Sequence, residues 1–276
     1  MSLQDWIGRK TLAEAPLSPR LIDEHKITFG DWLADMEAPP GLHWALSPQA
    51  ATPDQMGRDG HPRLGIHLPD PGLPRRMWAG GQLRFHLPFA SGDQVRRESE
   101  ITAVSEKNGR SGRLAFVTLS HHCLVGDRLH VSERQDIVYR DDTAPGAAAP
   151  VAGEAWPGAI SRDLETGPVL LFRYSAMTFN SHRIHYDLPY ATGVEHYEGL
   201  VVHGPMQALF MMNAATGSFG ALPARFDYRG LSPLIAGVPA LMEQRPAKID
   251  GQDGLELRIR RADGVVTMQA QALPPL

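Results

Sequence analysis

The 276-residue chain has one cysteine, Cys123, so no disulfide can close within it, which suits a reducing compartment. It has no run of eighteen apolar residues, which argues against a membrane-spanning helix. Neither sign of charge dominates. The net charge of −4 gives no global electrostatic reason to bind nucleic acid, although local arginine clusters could hold a small anion. The opening "MSLQDWIGRKTLAEA" puts charges where a secretory signal needs an apolar core. These absences lead to the expectation of a cytoplasmic protein with no membrane or nucleic-acid partner. An apolar fraction of 42% is enough for a real core and excludes disorder of the whole chain.

Elements follow from local pattern. Ser18-Pro19 is a helix start, and the helix should run at least to Gly30. A Pro/Gly-rich stretch follows and reads as loop. Next come four strands, "QLRFHLP", "QVRRESEITAVSE", "RLAFVTLSHHC" and "RLHVSERQDIVYR", separated by turn sequences as in an antiparallel meander. "TGPVLLFRYSAMTF" has helical spacing, "LPYATGVEHYEGLVVHG" is irregular, and "PMQALFMMNAATGS" is apolar almost all round and should be a buried helix. Three or four further strands close the chain, the last pair joined by "ADG". The Ala/Pro/Gly-rich segment 141–158 reads as a linker between an N-terminal unit, 1–140, and a C-terminal one, 159–276. Pro-Phe-x-x-Gly at Pro88–Gly92 and Pro-Leu-x-x-Gly at Pro233–Gly237 lie about half a chain apart, which supports two related units. The fold class is α+β, with the second sheet wrapped around one helix and no equally apolar helix in the first half.

The chemistry concentrates in "TFNSHRIHYD", residues 178 to 187. Three readings are open on these residues. His182, His185 and Asp187 are possible metal ligands, but their spacing fits no established metal pattern. A polar loop with structurally bonded histidines is the plainer reading. The third needs a partner, and "VVHGPMQAL" supplies one: His203-Gly204 at the start of the buried helix, where the Gly204 amide can face a ligand. A base beside such an amide can polarise a carbonyl while moving a proton.

These two motifs resemble the (R)-specific enoyl-CoA hydratases, the MaoC-like dehydratases, whose pattern is Asp-x-Asn-Pro-x-His-x-Asp after a helix and Val-His-Gly at the central helix. Asn180 falls on the first aspartate, His182 on the asparagine, Arg183 on the proline, His185 on the histidine and Asp187 on the last aspartate. Val202, His203 and Gly204 fall on Val-His-Gly. "GGQLRFHLPFASGDQVRRESEITAVSE" looks like the strand half of the same fold, so the resemblance implies a double hot dog. "FNSHRIHYD" with "PRRMWAGG" upstream is most similar to the mesaconyl- and itaconyl-CoA hydratases and the type 2 3-hydroxyacyl-thioester dehydratases.

The resemblance implies reversible hydration of an enoyl-CoA thioester, with no metal and no cofactor beyond the CoA of the substrate, and a homodimer. It departs from this chain at Asn180, which can hydrogen-bond but not take a proton. The proton then falls to His185, the water to Asn180 and the enolate-like oxygen to Gly204. Arg75, Arg76, Trp78, Arg183 and His203 are the candidate substrate-binding residues. Arg75 and Arg76 could hold a phosphate or a carboxylate, or be ordinary turn arginines. Arg183 could meet a dicarboxylic acyl group or pair with Asp187, itself a support of the loop. His121-His122 lies in a strand, with a core or surface role. A fatty-acid dehydratase, a hot-dog thioesterase and a non-catalytic acyl-CoA-binding module are the rival readings.

Overall fold

The computed structural model describes residues 2–48, 50–109, 112–142 and 152–275. Ser18 caps α1 (Pro19–Phe29) by accepting a hydrogen bond from the Leu21 amide at 3.2 Å, and Pro19 occupies the first turn, where its missing N–H costs nothing. The strands β1 (Lys10–Pro16), β2 (Arg75–Phe85), β3 (Gln94–Gly109), β4 (Gly112–Val125) and β5 (Arg128–Arg140) belong to the first half. β6 (Ile160–Leu164), β7 (Arg225–Gly230), β8 (Ala240–Ile249), β9 (Gln252–Arg261) and β10 (Val266–Leu273) belong to the second. Between β6 and β7 lie α2 (Pro168–Thr178), α3 (Leu188–Gly193) and α4 (Gly204–Phe219).

Two tandem antiparallel sheets were expected; instead all ten strands form one antiparallel sheet in the order β1-β3-β4-β5-β2-β7-β10-β9-β8-β6, because β2 and β7 hydrogen-bond to each other and join the halves edge to edge. Each half contributes five strands in the same relative order, and the halves meet where β2 pairs with β7, for example Gly81 with Tyr228. Pro88–Gly92 links β2 to β3 and Pro233–Gly237 links β7 to β8, so the short sequence repeat occupies equivalent connections. The proposed unit boundaries fall between β5 and β6, and residues 143–151 of the expected linker lie outside the described residues. At its described end, Gly153 donates to the Gly264 carbonyl at 3.0 Å.

The expected strands and helices are present, with three differences. β1 and β6 were not anticipated. Both are edge strands, largely exposed, so neither shows the apolar alternation that marks a half-buried strand. The stretch read as irregular contains the six-residue α3, too short to show a period.

α4 confirms the expectation of burial. Met206, Leu209, Phe210, Met211 and Met212 are all at most 1% exposed, and the helix packs on β7, β9 and β10. Among the described residues, the first half has no helix between β1 and β2 besides α1; residues 33–74 run there as loops and 3-10 turns. No described helix is long and apolar enough to cross a membrane.

Phe210 joins α4 to the first half, with ring contacts to Phe29 at 5.7 Å and Trp32 at 5.0 Å. Phe210→Ala is expected to cost about 3–5 kcal/mol, because the surrounding rings cannot collapse fully into the space. Urea denaturation checks this, and a midpoint unchanged from the parent would contradict it.

Candidate active site

α2 ends where Phe179 adopts a left-handed φ of 52°, which turns the chain back so that the Asn180 amide donates to the Ser175 carbonyl at 2.9 Å. The Asn180 side-chain oxygen then accepts from the His182 amide at 2.9 Å. A 3-10 turn at Arg183–His185 follows, and Asp187 caps α3 by accepting from the Tyr190 amide at 3.1 Å. This tight local folding buries His182 and His185 while leaving Asn180 partly accessible.

A loop from the first half clamps the turn from outside. The Arg183 amide donates to the Asp59 carbonyl at 2.8 Å, and the Ser181 hydroxyl donates to the Gly60 carbonyl. Gly60 has φ +86°, and a Cβ there would lie 2.0 Å from the Ser181 carbonyl oxygen, so no larger residue fits. Within this loop Asp59 grips His61 twice, accepting from its amide at 3.0 Å and meeting ring Nδ1 at 2.8 Å.

His185 is held as a neutral ring. Its Nδ1 lies 2.7 Å from the Val201 carbonyl, which can only accept, so Nδ1 carries the proton and Nε2 keeps its lone pair. Burial, followed by the neighbouring His203 and His182 rings, pushes its pKa well below 6.5. The His203 ring stacks on it with centroids 3.5 Å apart, and His203 Nε2 lies 2.8 Å from the Ser175 hydroxyl. His185 keeps 6% of its surface open, whereas His203 is fully enclosed with Nδ1 unpartnered.

A cavity of 420 Å³ lies in front of these groups. Asn180, Tyr174, Trp78, Arg76 and Pro205 line it, together with residues of β3, β4 and β5. Neither His185, His203 nor Gly204 belongs to its wall. Tyr174 borders it and meets His203 edge-on at 4.9 Å, so the histidine pair sits one ring layer back. Gly204 opens α4, and a Cβ there would come within 3.3 Å of the Trp78 ring, a closeness that favours glycine.

Of the five predicted binding residues, Arg76 and Trp78 line the cavity, while His203, Arg75 and Arg183 do not. Arg75 is 4% exposed and pairs with Glu195 at 3.3 Å, which in turn lies 3.6 Å from His182. Arg183 pairs with Asp187 at 2.8 Å and stacks over Tyr190, so it braces the loop and does not face the cavity. The trio His182, His185 and Asp187 is not gathered as a ligand set. Asp59, His61 and His182 do bring ligand atoms within 4.8 Å of one another, but Asp59 is already bonded to His61.

Sequence reasoning missed His61, Tyr174 and His121, all on the cavity wall. His121 and His61 lie far from the motif in the chain, and Tyr174 looked like one more apolar position of α2. Its hydroxyl is buried without a partner, which burial answers by pushing its pKa far up.

The buried histidines set the acid limit of the fold. Burial lowers His25 to about 4, His61 to about 3, His121 to about 4 and His203 to about 3. In the unfolded chain they titrate near 6.5, so below that pH the unfolded state binds more protons. Stability is therefore intact above about pH 6.5 and lost progressively as pH falls towards the folded values. The denaturant midpoint is expected to drop steadily below that pH, and a midpoint that rises on acidification would contradict the assignment.

The family profile of hydroxyacyl-thioester dehydratase type 2 matches residues 41–236. The chain is 41% identical over 274 residues to the mesaconyl-C(4)-CoA hydratase of Chloroflexus aurantiacus, covering 96% of this chain and 95% of that one. It is 27% identical over 228 residues to the mitochondrial hydroxyacyl-thioester dehydratase type 2 of Schizosaccharomyces pombe, covering 72% and 75% of the two chains. A Mycobacterium tuberculosis protein described as having a double hot dog fold superposes with a TM-score of 0.59 at 15% identity, covering 99% and 98%. With the duplicated strand order and the tautomer-locked histidine, these likenesses establish that the chain belongs to the hydroxyacyl-thioester dehydratase type 2 family of hydro-lyases and has the double hot dog fold.

Proposed function

We propose that the enzyme adds water reversibly across the 2,3-double bond of an enoyl-CoA thioester, and that the preferred acyl group is a branched dicarboxylic one of the mesaconyl type. The observation that carries the reaction is the His185 ring. Its Nδ1–H is committed to Val201, and it is neutral at physiological pH. The relative that shares 41% of its residues over nearly the whole chain supports the acyl group.

In the hydration direction Nε2 of His185 takes a proton from water as the oxygen bonds to C3. The π electrons move towards the thioester oxygen, which faces the Gly204 N–H at the positive end of α4. Such a donor contributes about 3 kcal/mol in the transition state. The imidazolium then returns its proton to C2, so one molecule of water is added and the base is reset. Asn180 positions the water from the cavity wall, and His203 holds the base by stacking. Arg75, through Glu195 and His182, supports the loop.

Trp78 shapes the entrance beside Gly204. Arg76 borders both the main cavity and a neighbouring one of 290 Å³ that it shares with Arg63, and these two guanidiniums are suited to CoA phosphates. CoA enters as part of the substrate, and no separate cofactor has a role in these steps. The working form is proposed to be a cytoplasmic homodimer.

Incubation with crotonyl-CoA and mesaconyl-C4-CoA, followed by mass spectrometry, should show addition of water without release of thiol. Free thiol as the main product would make the protein a thioesterase instead. His185→Ala should lower kcat about 10²–10⁴-fold, the usual contribution of a positioned acid or base. Asn180→Asp should keep most turnover, because an aspartate can also accept from the His182 amide. Its negative charge near the base should move the acid limb of the pH profile upwards. An unchanged limb would separate position 180 from the proton step.

A further inference from the structure

We infer that Arg97 reads the free carboxylate of the acyl group and so sets the preference for a dicarboxylic over a plain enoyl thioester; this rests on the hydratase reading above. The place comes from the asymmetry of the duplication. In the second half α4 covers its part of the sheet, and the first half has no such helix. There the cavity is bordered directly by side chains of β3, β4 and β5: Arg97, Leu119, His121, Gln135 and Ile137. The same cavity reaches Asn180 and Tyr174, so one acyl group can lie against this strand face with its other end beside Asn180, in front of the ring layer that holds His185.

The charge comes from an accounting of arginines. Arg75 is neutralised by Glu195 at 3.3 Å, Arg183 by Asp187 at 2.8 Å and Arg58 by Asp142 at 2.6 Å. Arg97 forms no ion pair with a carboxylate among the described residues. Its hydrogen bond is a long one, to His121 Nδ1 at 3.4 Å. Glu133 feels the Arg97 charge: burial pushes its carboxyl up, and His43, His121 and Arg97 together pull it down. Yet its oxygens are taken by the Trp44 indole, which donates to both at 3.1 Å, and by His43 at 3.7 Å, so it forms no ion pair with Arg97. A guanidinium has five donors, so most of those on Arg97 are free for a ligand, in the fork geometry that suits a carboxylate.

The surroundings hold this group in place. His121 Nδ1 lies 2.7 Å from the Ser99 hydroxyl and Nε2 lies 3.0 Å from Gln135 Oε1. Gln135 Oε1 can only accept, so Nε2 carries the proton and Nδ1 accepts from Ser99 and Arg97. His121 is thus a neutral bracket with every ring nitrogen used, a positioning residue rather than a second anion ligand. Leu119 and Ile137 supply apolar wall around it, where water competes poorly for the guanidinium. Arg76 is the other arginine on this cavity, but it also borders the neighbouring cavity with Arg63, which suits phosphate better.

The test is the ratio of kcat/KM for mesaconyl-C4-CoA to that for crotonyl-CoA, measured in the parent, Arg97→Met, Arg97→Lys and Arg76→Met. The parent should favour the dicarboxylic substrate. Arg97→Met should lower the ratio about 10- to 100-fold, the worth of a hydrogen-bonded charge contact, and Arg97→Lys should retain part of it. Arg76→Met should weaken both substrates together. Circular dichroism shows whether each variant folds. If Arg97→Met does not, the lysine variant decides, since an unchanged ratio there overturns the proposal. A parent that hydrates crotonyl-CoA but disfavours mesaconyl-C4-CoA overturns it while sparing the hydratase reading. Equal loss on both substrates in Arg97→Met also overturns it. A parent that hydrates neither ends both readings.

Discussion

The hydrogen bond from His185 Nδ1 to the Val201 carbonyl, 2.7 Å long, is the contact around which the second half is arranged. It decides which ring nitrogen carries the proton, and burial keeps the ring neutral. For the bond to form, the motif after α2 must double back onto the strand-like segment leading into α4. The Val201 amide completes that join by donating to the Ile184 carbonyl at 2.9 Å. His185 and the Gly204 amide are therefore tied to each other through a few residues of backbone, the kind of rigid support that the proposed proton transfer needs.

The duplication divides the labour. Both halves bring five strands in the same order to one sheet, yet only the second fills its face with a long helix. That helix provides the positive end at Gly204 and a continuous apolar filling for the main core cluster. Its absence from the first half leaves strand residues facing the cavity, and the long segment 33–74 folds over as a cover. Trp44 and His61 reach the cavity from that cover, so neither half makes the site alone.

The parts legible in the sequence were those whose partners are close in the chain. The Ser18-Pro19 cap and the wholly apolar α4 depend on neighbours within a turn or on a common apolar face, whereas the link of "NSHRIHYD" to His203-Gly204 rested on the helix start and the family pattern, and the structure brings the two together where His203 stacks on His185. Asp187 was read as a support for the loop and does cap α3. The misreadings have a common physical source in contacts made across long sequence distances. Arg75 looked like a ligand contact because nothing local pairs it; Glu195, 120 positions on, does. The clamp of Gly60 against Ser181 joins residues 121 apart. β1 and β6 escaped notice because edge strands need no buried alternation.

The central claim is that His185 is a neutral, Nδ1-protonated base. Its most direct test is a ¹⁵N NMR titration of the histidine side chains, with His185 assigned by comparison with His185→Gln. The account predicts a ring that is neutral with its proton on Nδ1 at pH 8 and stays so as the pH falls through the ordinary histidine value of 6.5, because burial and the His203 and His182 rings push its pKa well below that value. A ring that titrates near 6.5, or one protonated on Nε2, would contradict it.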